Sequence, residues 1–163
     1  PLTEDWAGLS DDALQAKFNA ADQMQGIGFL LKCRAVSIYR DNHVQTWGES
    51  WTEHAKEWAG ISSRTAYAYA NIWQITVASD TYSADKVTPL TDSRSLMQFI
   101  GRKKPEDGAV AMESAVAFLA EYAEPPTVAQ LAHRIGEERE EGKRHACPDC
   151  GREHTVKGGA MET

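Results

Sequence analysis

The chain has few cysteines: three in 163 residues, at Cys33, Cys147 and Cys150. An odd number with a single close pair is no disulfide framework, so a reducing, cytoplasmic compartment is expected. Long apolar runs are missing. The longest, Ile27 to Leu31, falls far short of the ~20 residues that span a bilayer, and no membrane association is expected. The first residues carry Glu4, Asp5, Asp11 and Asp12 where a secretory signal would be basic and then apolar. An initiator methionine or a longer N-terminal piece is expected ahead of Pro1. Catalytic signatures are missing as well: there is no GxGxxG, GxxxxGK, GxSxG or HExxH. The carboxylates cluster mostly at helix ends, as at Glu137, Glu138, Glu140 and Glu141, which is the pattern of a solvated face. The expectation is a protein that is not an enzyme.

Positive charge is also scarce, with a formal net charge of -7, but its distribution is uneven. Residues 26–104 hold ten Lys and Arg against seven Asp and Glu, whereas residues 105–124 hold five acids and no base. A mildly basic middle between acidic flanks permits a nucleic-acid face there. What is present in quantity is ordinary: 42% hydrophobic and 25% charged residues suit one soluble domain with a core and a tail.

The periodicity predicts an all-α fold, with no strand alternation and no repeat. Ser10 reads as a cap with Asp11 and Asp12 behind it, and Leu14, Phe18 and Ala21 form one stripe. Gly26 and Gly28 predict a break, followed by a helix from Phe29 to Tyr39 and a loop over 40–48. Helices are predicted over Ser50–Trp58 and from Ser62 to about Ala78. A short one capped by Thr91 or Ser93 follows, then Val110–Tyr122, stopped by Pro125 and Pro126. Pro105 suits a first helical turn. Thr127 caps a last helix with Val128, Leu131, Ala132 and Ile135 inward. A helical domain over 1–142 and a tail over 143–163 result.

The stretch "WAGISSRTAYAYANIW", Trp58 to Trp73, carries the functional reading. Gly60 supplies a position where positive φ costs little, Ile61 can plug the gap between two helices, and Ser62 caps the second. Ala66, Tyr69, Ala70 and Trp73 make a core stripe. Arg64, Tyr67, Ala68 and Asn71 make another face, with Ser63 at the N-terminal end. Arg suits guanine and Asn suits adenine, Ala68 lets a helix sit deep, and Tyr67 reaches a phosphate or a thymine methyl. "AGISSRTAY" resembles the turn and recognition-helix start of bacterial and phage helix-turn-helix regulators, over about residues 50–74. The resemblance implies DNA contact by Arg64, Thr65 and Tyr67. It departs in one place: four residues before the glycine, where a small residue is usual, stands Lys56, and the alanine is Ala55.

The expected partner is double-stranded DNA, read by Ser62, Ser63, Arg64, Thr65, Tyr67, Ala68 and Asn71. Phosphates would be met by Lys32, Arg34 and Arg40, or by the group of Arg94, Arg102, Lys103 and Lys104. Trp47, Trp51, Trp58 and Trp73 read as a core around the motif, or else as a stacking platform for single strands. In the tail, Cys147-Pro-Asp-Cys150-Gly resembles half of a zinc ribbon, with His154 and His145 as further ligands for Zn2+, or a site shared between two chains. The role expected is a phage- or plasmid-type repressor acting as a homodimer, with a possible protein partner at the tail. A DNA-packaging or partition adaptor, similar to a small terminase subunit, or an interaction module without DNA are the alternatives.

Overall fold

The computed structural model of the chain describes residues 4–24, 27–77, 84–146, 153–157 and 160–161. Helix α1 (Asp11–Ala20) opens at Ser10, whose Oγ accepts from the Ala13 amide at 3.2 Å, and it buries Leu14 and Phe18. A 3-10 turn, Ala21–Gln23, follows and Met24 is extended, so the predicted division into two helices is present; α2 (Gly28–Trp47) takes Gly28 as its first residue, and Gly26 lies outside the described residues.

The predicted loop over 40–48 is instead helix. Tyr39, His43 and Trp47 lie four residues apart, and their rings touch in series, at 4.6 Å and 4.3 Å between centroids. Side-chain pairs at that spacing stabilise a helix, while Asp41 and Asn42 lie on its exposed side. Gly48, at φ 56°, ends it.

Helix α3 (Trp51–Ala59) buries Trp51, Ala55 and Trp58. Helix α4 (Ser63–Val77) is the centre of the domain. It packs most extensively against α2 and α3 on one side, and against α6 (Arg94–Gly101) and α7 (Pro105–Tyr122) on the other. Being covered from both sides, it buries Ala66, Ala68, Tyr69, Ala70, Asn71, Ile72 and Ile75. A short helix α5 (Ala84–Val87) and a 3-10 turn, Thr88–Asp92, lead into α6. Of the two predicted caps, Ser93 does the work, its Oγ accepting from the Leu96 amide at 3.3 Å.

Pro105 stands in the first turn of α7, five residues ahead of the predicted start. Helix α8 (Val128–Lys143) returns along α7, opened by a reciprocal pair between Thr127 and Gln130. Leu131 and Ile135 face inward, but Ala132 is exposed, against expectation. Arg134 ties the hairpin, bonding Glu121 at 2.8 Å and Glu138 at 3.2 Å.

The body is thus all-α. Beyond α8 the backbone forms short antiparallel strands, which the sequence reading did not foresee: β1 (Arg144–Ala146) pairs with β2 (Glu153–Lys157), and β2 with β3 (Ala160–Met161). Among the described residues, no helix is long and apolar enough to cross a membrane.

Candidate nucleic-acid interface

Gly60 adopts φ 68° and ψ 22°, the left-handed conformation the sequence required of it, and its amide donates to the Lys56 carbonyl at 2.9 Å. This closes α3 and redirects the chain within three residues. Ile61 is half-buried against the core. Ser62 Oγ then accepts from the Thr65 amide at 3.2 Å, capping α4. The small residue that seats α3 is Ala55, fully buried, while Lys56 is exposed.

A Cβ at Gly60 would meet nothing within 4 Å. Gly60→Val therefore acts through the backbone alone. It is expected to lower stability by about 1–2 kcal/mol, the cost of a left-handed residue with a side chain. Urea denaturation measures this; an unchanged midpoint would mean that the turn relaxes freely.

The predicted DNA face divides along the helix. Ser63 and Arg64 are exposed, and Tyr67 is half-buried. Ser62 Oγ donates to Thr65 Oγ1 at 3.0 Å, and Thr65 Oγ1 also accepts from Gln98 Nε2 at 3.4 Å, so Thr65 helps to hold α4 to α6. Ala68 and Asn71, expected to face DNA, do not. Ala68 is wholly buried beneath the end of α6. Asn71 is 3% exposed, and its Nδ2 donates to the carbonyls of Gly101 at 2.9 Å and Lys103 at 3.2 Å. It is a positioning residue for the basic loop after α6.

That loop is brought to α4 by a close approach. Gly101 rests on the backbone of Ala68, with no room for a side chain between them. Arg102 consequently lines one depression of about 480 Å³ together with Ser63, Arg64, Tyr67, Glu49 and Thr52. Lys104 is exposed, while the Lys103 ammonium stands 4.5 Å from the centre of the Phe99 ring. Glu49 and Thr52 went unnoticed in the sequence. Their membership depends on how α3 crosses α4, and no local pattern announces it.

Other bases considered for phosphate are engaged. Lys32 pairs with Asp22, and Arg40 with Asp41 at 2.9 Å. The Arg34 guanidinium lies 4.4 Å from the Trp6 ring and 5.6 Å from that of Trp73, and burial pulls its pKa down. Arg94 is exposed but lines a different groove. The tryptophans act as core. Trp51 and Trp58 are buried, and Trp58 stacks on Tyr39 at 4.2 Å while its indole N–H donates to the Asp11 carbonyl at 2.9 Å. Both faces of Trp47 are covered, by His43 at 4.3 Å and by His54 at 3.9 Å, leaving neither to stack on a base.

Cys147 and Cys150 lie outside the described residues. His145 and His154 are direct partners in the β1–β2 register. Among the described residues, no three His, Cys, Asp or Glu stand close enough to hold a metal ion.

Compared with known proteins, the chain matches no family model, no curated protein and no solved structure.

Proposed function

We propose that this chain binds double-stranded DNA in a sequence-specific manner and acts as a phage- or plasmid-type transcriptional repressor, working as a homodimer in the cytoplasm and performing no catalysis. The observation that carries this reading is the left-handed turn at Gly60. It sets the start of α4 outward, with Ser63, Arg64 and Tyr67 beside Arg102 in one depression. In a helix-turn-helix the N-terminal residues of the second helix reach base edges in the major groove. Arg64 offers the bidentate fork that suits guanine, and the exposed Arg102 and Lys104 would meet phosphates. Glu49, at the rim, disfavours indiscriminate phosphate contact and can accept from a cytosine amino group.

Selection of bound duplexes from a random pool tests the reading. A recurring motif in two halves, centred about ten base pairs apart, is the expected result. Absence of any enriched sequence would sink it. Light scattering on the same protein separates the roles: a dimer fits a repressor, and a ring of many copies fits a packaging adaptor.

Few bases face the proposed groove, so binding should respond weakly to salt. With about three to five phosphates neutralised, the slope of log K against log salt is expected at about -3 to -5. A slope near -10, about that of a large basic surface, would place the contacts elsewhere.

The tail is read as a zinc knuckle, with Cys147 and Cys150 as thiolate ligands and His154 and His145 completing the set. The support is the two-residue spacer between the cysteines and the cross-strand pairing of the two histidines. Elemental analysis of protein purified without chelator is expected to find zinc bound one per chain. One zinc per two chains would mean a shared four-thiolate site. No zinc in fully reduced protein would remove the metal from the reading.

A further inference from the structure

On the side of α4 away from the proposed DNA face, Tyr69 lines a groove of about 720 Å³ between the start of α2 and the 3-10 turn Thr88–Asp92. That volume falls in the range of small-molecule sites, about 300–1,000 Å³. One wall is apolar. Phe29 stands edge-on to the Tyr69 ring, with centroids 5.1 Å apart and planes at 74°, and Met24 and Pro89 continue it.

The polar groups are not all satisfied within the fold. Lys32 pairs with Asp22, and the Thr91 hydroxyl donates to the Thr88 carbonyl at 2.6 Å. The Tyr69 hydroxyl and the Arg94 guanidinium have no hydrogen-bond or ion-pair partner among the described residues. Burial pushes the Tyr69 phenol up, so it remains a protonated donor at neutral pH. The exposed Arg94 guanidinium and the Tyr69 hydroxyl can both donate to one anionic oxygen entering the groove, and a guanidinium fork matches a carboxylate. The lining charges balance, Lys32 and Arg94 against Asp22 and Asp92. Such a site accepts one negative charge and resists a dianionic phosphate or a polyanion.

We infer that this groove binds a small organic carboxylate with an apolar body, held by Arg94 and Tyr69, and that the ligand acts as an effector of DNA binding. The effector role rests on the proposed function; the binding site does not. The fold supplies a route between the two surfaces. Arg94 is the first residue of α6, and Arg102 follows its last residue in the DNA-facing depression. Tyr69 lies on α4 itself. A carboxylate bridging Tyr69 and Arg94 would tie the two helices whose far ends present Arg64 and Arg102.

Benzoate, indole-3-acetate, phenylalanine and phenyl phosphate, titrated separately into isotope-labelled protein without DNA, test the site. At least one carboxylate is expected to move the amide signals of residues 28–32, 69 and 88–94, while benzamide moves none. Arg94→Ala and Tyr69→Phe should each weaken that binding about tenfold, with the circular dichroism of the wild type retained. No shift from any carboxylate, unchanged binding in both variants, or phenyl phosphate binding more tightly than benzoate would overturn the site. A duplex titration with and without the bound carboxylate then tests the effector role. A change of about fivefold or more in DNA Kd is expected in the wild type and is absent in Arg94→Ala. Carboxylate binding with no change in DNA Kd would overturn the effector role alone. A protein that binds the carboxylate but no duplex under any condition would overturn the DNA-binding reading instead, leaving the carboxylate site in place.

Discussion

Gly101→Ala is expected to destabilise the protein by about 1–3 kcal/mol, the usual cost of overpacking a filled interior, and to weaken DNA binding with it. A Cβ at this position would lie 2.6 Å from the Ala68 carbonyl oxygen and 3.0 Å from two further backbone atoms of Ala68. Those atoms belong to the middle of a buried helix and cannot turn aside as a side chain would. Helix α6 would have to back away from α4, stretching both hydrogen bonds from Asn71 to the 101–103 carbonyls. The greater helix preference of alanine, about 1 kcal/mol, opposes the effect without cancelling it. The loss of DNA affinity should exceed what unfolding alone explains, because Arg102 moves with the loop. Urea denaturation and duplex titration on the same preparation check both. A more stable Gly101→Ala protein would mean that the two helices are not seated against each other.

Arg64→Ala is expected to do the opposite: leave the fold intact and cost about 1–3 kcal/mol of specific DNA binding. Arg64 is exposed and makes no contact on which the core depends. Its loss should also relax the preference at a single base pair of the selected site. Arg64→Lys should recover little of that preference, since an ammonium lacks the planar fork. Unchanged affinity of Arg64→Ala for the selected duplex, with an unchanged melting temperature, would move the reading surface away from the start of α4.

The parts of the fold that were legible depend on neighbours in the chain. Ser10, Ser93 and Thr127 could be read as caps because a cap bonds an amide a few residues on. Gly60 could be read because a left-handed turn selects its residue locally. The extension of α2 through Trp47 was in principle legible from the spacing of Tyr39, His43 and Trp47, but the polar "RDN" stretch masked it. Ala68 and Asn71 were misread for a different reason. Helical spacing says which residues share a face and is silent on what covers that face, and α6 comes from some thirty residues further on. The same contact that buries Asn71 delivers Arg102 to Arg64, so one distant event accounts for the face lost and the base gained. The ion pairs of Lys32 with Asp22 and of Arg40 with Asp41 were not legible either, because they depend on side-chain geometry.

The near-complete burial of α4 also bears on how such a protein could acquire new targets. Along most of its length, a substitution must satisfy α2, α3, α6 or α7 before it can matter to anything outside. Among the described residues of α4, Ser63, Arg64 and Gln74 are exposed, and Ser63 and Arg64, with the half-buried Tyr67, are the ones that line the depression. Descendants diverging in what they recognise should therefore vary at these few positions and at Glu49 and Thr52 on the rim, while the remainder of the helix stays fixed. Recognition would drift through a small, separable set of side chains without renegotiating the scaffold beneath it.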